Sequence, residues 1–427
     1  MKPGKIYIGI DLTETYAMIS LFGSGMKEPE TIAVGGEERY GIPLAMYLSG
    51  SGKTFYGEEA LRRRENPQGE FFTDLYRKAL EEFAEESRFY QGLLRQFLQR
   101  LIRLKDRYGS VGNAAEICLG LSVPEITDDV IRLFEQIRKE LEFSEENFFL
   151  MDHAESFFAH TYHQDHMLWQ HEVVLFDFTE HEVCFYLLHR RGGRSLQMVT
   201  AEKKSWEVPG YVVPDSLVRD EFFANIVRES FANHMISAVY FVGDGFDGSW
   251  LKESLRVLGT NKRVFLGKNL FTKGACYAAY RYSDRADWGF FYQCDYKTQG
   301  EIFLHIQKEG RPTLIRLLEA GRNWYYETPV YEFLYDGTPE LVFEIGTIGQ
   351  SNHCKQTFEL TDLPQRPDKT IRLRIQAVAQ NGRQVEVHIS DTGFGAFFES
   401  TGKEWTVSMS FDTDNGKHGR YGAWGLK

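Results

Sequence analysis

Tyr7-Ile8-Gly9-Ile10-Asp11-Leu12-Thr13-Glu14-Thr15-Tyr16-Ala17-Met18-Ile19-Ser20-Leu21-Phe22 is the stretch whose reading decides the fold. A run of β-formers, Tyr7, Ile8 and Ile10, reaches a single carboxylate, Asp11. A short polar bend from Leu12 to Thr15 follows, and then a second apolar run from Ala17 to Phe22. This spacing predicts a buried strand, a tight turn and a returning antiparallel strand. The pattern recurs at Val173 to Leu188, VVLFDFTEHEVCFYLL, where Asp177 stands at the end of an apolar run and apolar residues resume after Glu182. Two copies predict a duplicated α/β domain whose halves face each other. A carboxylate from each turn then points into the cleft between them.

The layout resembles the nucleotide-binding domain of the 70-kDa heat-shock chaperones, within the actin-like ATPase superfamily. That family's two phosphate loops read roughly DLGTT and DLGGGT; here they read DLTET and DFTEHE. The resemblance implies a two-lobed actin-like ATPase fold of class α/β, with a duplicated ribonuclease-H-like core. It implies that Asp11 and Asp177 hold magnesium, that Asp152 lies near the metal and the attacking water, and that ATP or ADP is the cofactor. Thr13, Thr15 and Thr179 fall in the phosphate loops, where Thr13, Thr179, Glu180 and His181 stand in the places of the family's glycines.

Further along, Ile42, Pro43, Tyr56, Gly57 and Ala60 stand in the family's order. The GSGKT at Gly50 to Thr54 lacks the upstream glycine of a P-loop, because Tyr47 is there, and Phe55-Tyr56 follows where a helix should. It reads as a hairpin turn. Asn66-Pro67 resembles the family's NP ahead of its catalytic lysine, but the count puts that lysine near Leu75 or Tyr76, with Arg77 and Lys78 just beyond. A long amphipathic helix is expected from Asp74 to Arg107 in two pieces, then a strand from Ala115 to Pro124 and a helix from Asp128 to Glu142. Ala238 to Leu255 resembles the adenosine loop, keeping Gly243 and adding Gly245, without the family's serine and arginine. Lys273 to Tyr282 resembles the small-residue helix that closes the domain, with Gly274, Ala275 and Ala278. By resemblance, Gly243, Gly245 and Gly274 are cofactor-binding positions.

From Asp287 the texture changes to period-two segments separated by Gly, Pro, Asn and Asp turns, up to about Phe411. Eight or so short strands of this kind read as an all-β sandwich. The stretch FELTDLPQRPDKTIRLRIQAVAQNGRQVEVHIS resembles the family's β-type substrate-binding domain, with Asn381-Gly382 as the hairpin turn. The expected division is therefore 1–285 for the nucleotide-binding fold, 286–411 for the sandwich and 412–427 for a flexible tail. No leucine-rich linker and no helical lid are legible. Aromatic residues of the C-terminal region, Trp288, Phe290, Phe291, Tyr292, Trp324, Tyr325 and Tyr326, are read either as core or as a peptide groove.

Composition bounds the rest. The chain has 427 residues, 42% of them apolar, and a formal net charge of −12. That charge argues against nonspecific nucleic-acid binding, which needs clustered cations. No apolar run approaches the roughly 18 residues of a spanning helix, and the first strand begins too early to leave room for a signal peptide. The five cysteines are scattered and read as reduced, so the expected compartment is the cytoplasm. His160, His163 and His166 recur at three-residue spacing and are weighed as zinc ligands against ordinary helix-end histidines.

Two readings of the chemistry stay open. Glu14, Glu180 and Glu182 occupy the phosphate turns, and each carboxylate about 4 Å from a phosphate charge costs on the order of 4 kcal/mol at an effective dielectric near 20. In one reading these are solvated turn residues in a cleft that no longer takes triphosphate. In the other, magnesium and altered contacts still bind ATP through Asp11, Asp152 and Asp177. The expected function is a heat-shock-chaperone-like protein that binds protein segments or a protein partner, with a pseudo-ATPase site. The alternative is an active ATP-dependent chaperone.

Overall fold

The strand Lys5–Leu12 is buried along its whole length because it lies inside a sheet. It pairs antiparallel with Tyr16–Gly23, setting Asp11 opposite Met18 and Leu12 opposite Ala17. On its other side it runs parallel to Glu116–Val123, which in turn runs parallel to Phe148–Asp152. The short Glu30–Thr31 strand covers the far side of Tyr16–Gly23. Among themselves these five strands read third, second, first, fourth, fifth in order of appearance, and the two-residue strand Ile42–Pro43 pairs with Tyr16–Gly23 off this path. The computed structural model describes residues 4–34, 39–81, 84–107, 116–192, 196–259, 261–284, 288–348 and 353–411. The expected tail, 412–427, lies outside them.

The same order is built a second time. Glu172–Phe178 pairs antiparallel with Glu182–Gly192, with Asp177 opposite Cys184, and parallel with Ile236–Val242. Arg263–Leu266 lies parallel beyond, and Gln197–Glu207 borders the returning strand. Counted from their own hairpin, these five strands again run third, second, first, fourth, fifth. Its core is unusually aromatic, with Phe176, Phe178, Phe185, Phe223, Phe241, Phe246 and Trp250 packed in one cluster.

Helix signals in the sequence explain the connections. Thr127 caps Asp128–Glu140 through its hydroxyl on the Val130 N–H, with Asp128 and Asp129 in the first turn and Arg138 and Lys139 in the last. Val130, Ile131, Leu133, Phe134 and Ile137 form its buried face. The helix Leu270–Asp284 lies directly on the first sheet. A Cβ on Gly9 would come within 2.0 Å of the Thr272 carbonyl oxygen, and one on Gly120 within 2.2 Å of that of Ala275. These two strand glycines are the window through which helix and sheet backbones touch.

Met46–Ser49 is the centre of a separate three-stranded sheet between Thr54–Tyr56 and Gly69–Phe72. Gly50 to Lys53 is the turn of that hairpin, with Gly52 in the left-handed region at φ 80°. Leu75–Ala79 and Ala84–Ile102 are the two helical pieces that follow.

The chain divides into two units, one of Met1–Arg191 with Val199–Phe290, the other of Gly192–Met198 with Phe291–Lys427. Trp288 and Phe290 pack in the first unit, around Phe158, Tyr162 and Trp169. The second unit has two four-stranded antiparallel sheets. One runs Arg311–Leu318, Gly300–Lys308, Glu340–Thr347, Cys354–Glu359; the other runs Tyr331–Tyr335, Ile371–Ala379, Gln384–Asp391, Glu404–Ser410. Both contribute to one core, from Ile302, Leu304 and Phe343 to Leu373, Val387 and Phe411. Tyr292 and Tyr326 are buried and Trp324 packs against that core. Among the described residues, no helix is long and apolar enough to cross a membrane.

Candidate functional site

Two polar turns, one at the end of each duplicated hairpin, are built alike. Thr13 Oγ1 donates to the Tyr16 carbonyl at 3.0 Å and accepts the N–H groups of Thr15 and Tyr16 at 3.4 and 3.2 Å. Thr179 Oγ1 donates to the Glu182 carbonyl at 3.1 Å and accepts the N–H groups of His181 and Glu182 at 3.3 and 3.1 Å. The backbone matches as well, with Thr13 N donating to Tyr16 O and Thr179 N to Glu182 O, both at 2.9 Å. Threonine two places after each aspartate therefore closes its turn from within. In a phosphate-binding turn those N–H groups point at the ligand. Here the threonine hydroxyls hold them. Thr15 sits at the exposed apex, its carbonyl taken by the Leu44 N–H.

Asp11 is buried, with 2% of its surface exposed, and a buried carboxylate requires a partner. The partner is His153, whose Nε2 lies 2.9 Å from Asp11 Oδ1. Asp152 fixes the position of that histidine. It ends the strand Phe148–Asp152 and caps the next helix, its carboxylate accepting the Glu155 N–H at 2.7 Å. His153, the first helical residue, then reaches back to Asp11, and its ring stacks on Phe271 at 3.8 Å and 10°.

Asp177 completes the group. It keeps partial access to solvent, yet the protein around it pushes its carboxyl up to about 6. Burial is the largest cause; His153 opposes it, while Asp11, Glu182 and Asp244 add to it. The same charges reach two phenols. Burial, with Asp11, Asp177 and Asp244, holds Tyr16 well above the ordinary tyrosine range. Burial, with Cys184, Asp177, Asp152 and Glu182, does the same at Tyr186. The site is thus a set of carboxylates around one imidazole, walled by two neutral phenols.

The cations near the loops are turned elsewhere. Leu75 and Tyr76, where the count puts the lysine of the resembled family, are both buried, Tyr76 against Phe134. Arg77 pairs with Asp74 and Glu81, and the Lys78 ammonium donates to the Tyr90 hydroxyl at 2.9 Å. Lys268 is bound by Asp244 at 3.0 Å and Asp247 at 2.7 Å.

The three glycines read as cofactor-binding all stand where a side chain would clash. A Cβ on Gly243, whose φ is 95°, would lie 2.4 Å from the Phe178 carbonyl oxygen and 2.6 Å from Asp177 Oδ1. On Gly245 it would strike the Phe178 ring at 2.3 Å, and on Gly274 the Ser156 carbonyl oxygen at 2.0 Å. Gly243 does stand beside Asp177; Gly274 belongs to a helix-to-helix contact.

The structure therefore brings Asp11, Asp177 and Gly243 together and makes Asp152 the cap of the helix that carries His153. Sequence reading misses Phe271, Tyr16 and Tyr186, and it notes His153 among the histidines without its pairing to Asp11. The one local signal is a histidine directly after the strand-ending Asp152. The donor set does not suit a triphosphate with magnesium, since the threonine of each turn takes two of its N–H groups and the charge around Asp177 is negative. Among the described residues, no group of three or more His, Cys, Asp or Glu is arranged to hold a metal ion. His160 and His163 are packed among aromatic rings, His163 stacking on Tyr277 at 3.8 Å, and burial lowers them to about 3 and about 4.

Residues 28–295 match the family model described as "Family of unknown function (DUF5716) C-terminal". Residues 297–411 match that of "Domain of unknown function (DUF8552)". No curated protein matches the chain.

Proposed function

The chain belongs to the family of unknown function DUF5716, and we propose that it is a heat-shock-chaperone-like protein that binds extended protein segments and carries a pseudo-ATPase site. The twice-built strand order supports the actin-like reading of residues 1–285, and the two-sheet core supports the sandwich reading of 286–411. One observation carries the proposal: both turns that would cradle phosphate are closed by their own threonines. The buried Asp11–His153 pair acts in the same direction, because it occupies a carboxylate that magnesium would need. The cleft is then a scaffold, and the working surface is the second unit.

An extended segment binds such a unit by adding its backbone to a sheet edge. The edge strand Tyr331–Tyr335 is suited to this, with exposed Val330 and Leu334 beside its unpaired side. Its clients are apolar protein segments, not nucleic acid or lipid, and its compartment is the cytoplasm. The convergence of Asp11 and Asp177 favours a second reading, a working ATP-dependent chaperone, and the same experiment separates the two. The full chain is titrated into a fluorescent apolar heptapeptide and followed by anisotropy, with and without ATP and magnesium. The proposal expects modest affinity, a Kd on the order of micromolar, unchanged by nucleotide. No saturable binding would remove the segment-binding reading, and a tenfold shift with ATP would install the second one.

A further inference from the structure

The GSGKT hairpin, Gly50 to Thr54, has no part in the cleft, yet it forms one wall of an open pocket of about 410 Å³. That volume lies in the range of small-molecule sites, roughly 300–1,000 Å³. The floor is built by the three-stranded sheet, where Tyr47 on the central strand pairs across to Phe55 on one side and Phe71 on the other. The Tyr47 hydroxyl donates to the Asn66 carbonyl at 3.1 Å and ties down the opposite wall.

The pocket's chemistry comes from Lys53 and Arg63. The Arg63 guanidinium lies over the Phe55 ring at 3.7 Å, and the Lys53 ammonium lies 5.1 Å from the same ring centroid. Arg63 spends one N–H on the Glu59 carbonyl at 2.9 Å. A guanidinium held on a ring in this way keeps its remaining donors at the ring's rim, where they can fork onto a planar or tetrahedral anion. Among the described residues, neither cation has a carboxylate partner and no Asp or Glu lines the pocket. In a chain with 61 acidic against 49 basic residues, two neighbouring cations without a counter-charge stand out. An anion placed between them is attracted by both charges. Around them lie the Ser51 hydroxyl, bonded to Ser49 Oγ at 3.0 Å, the Asn66 amide, whose Oδ1 accepts the Gln68 N–H at 3.0 Å, and the Gln68 amide, and their remaining donors and acceptors suit the hydroxyls of a polyol.

We propose that this pocket binds a small phosphomonoester with a hydroxylated body, such as a sugar phosphate. The phosphate is held between Lys53 and Arg63, and the body lies against Ser51, Asn66 and Gln68. The site resembles a P-loop in sequence only: its phosphate contacts are side chains, because a strand and not a helix follows the glycines.

The test is calorimetric titration of the full chain with glucose 6-phosphate, inorganic phosphate and glucose. The proposal expects saturable binding of glucose 6-phosphate with a Kd on the order of 1 mM or tighter, weaker binding of phosphate and none of glucose. Lys53→Ala and Arg63→Ala should each weaken glucose 6-phosphate at least about tenfold, the double variant should abolish binding, and Arg63→Lys, which keeps charge but loses the fork, should fall between. Circular dichroism melts without ligand check that the variants fold. Absence of saturable binding to the wild-type chain, or equal binding by the folded double variant, overturns the site. Inorganic phosphate binding as tightly as glucose 6-phosphate overturns the assignment of a hydroxylated body.

Discussion

Replacing Asp177 by asparagine should make the protein more stable at neutral pH, and less and less so as the medium is acidified. The carboxyl of Asp177 is raised from 3.8 to about 6, chiefly by burial. The folded chain therefore retains a proton that the unfolded chain releases between those values. Stability linked to this residue is complete below about pH 4 and lost as pH rises through 6. At about 1.4 kcal/mol per pH unit, the full gap corresponds to a ceiling of about 3 kcal/mol. Asp177 keeps partial solvent access, so screening reduces this to about 1–2 kcal/mol. An asparagine side chain carries no charge and avoids the cost. Urea unfolding of wild type and Asp177→Asn across pH 4 to 8 measures it directly. The variant should be more stable by about 1–2 kcal/mol at pH 8, with the gain gone near pH 4. A variant less stable than wild type at pH 8, or a gain that persists at pH 4, would refute the electrostatic account of the cleft.

The neighbouring pair predicts the opposite sign. His153→Ala leaves the buried Asp11 carboxylate without its partner and should cost about 3 kcal/mol, read as a lower melting temperature and as recovery in an Asp11→Asn, His153→Ala double variant. In the second unit, burial works against the charge of Asp391, but the Thr401 and Gly393 N–H groups and a two-pronged Arg366 hold its carboxyl down at about 2. The stability it contributes is present above about pH 4 and lost as pH falls through 2, so Asp391→Asn should remove that acid step and cost about 3 kcal/mol at pH 7, where Arg366 is stranded.

What the sequence shows of this molecule is what local patterns can carry. Apolar runs broken by one aspartate are enough to find both hairpins, since Asp11 and Asp177 each stand where a strand gives way to a polar turn. The threonines are visible too, but reading them as lost glycines hides their role as turn closers. His153 is legible as a residue and not as a partner, because Asp11 is 142 positions away and no periodicity links them. Gly9 and Gly120 look like weak points in their strands until the backbone of Leu270–Asp284 is laid across them. Cys354–Glu359 carries little apolar alternation, so nothing local marks it as a strand; cross-strand pairing with Glu340–Thr347 defines it. The three-spaced histidines point to zinc by spacing alone, while the surrounding rings of Tyr240 and Tyr277 set their place.

Closure of the Thr13 and Thr179 turns carries the proposed loss of nucleotide binding, and nucleotide titration measures it. Calorimetry of the full chain with ATP and with ADP, each with excess magnesium, should give no saturable heat at concentrations up to about 1 mM. Micromolar binding that disappears in Asp11→Asn would contradict the account and restore a working nucleotide site.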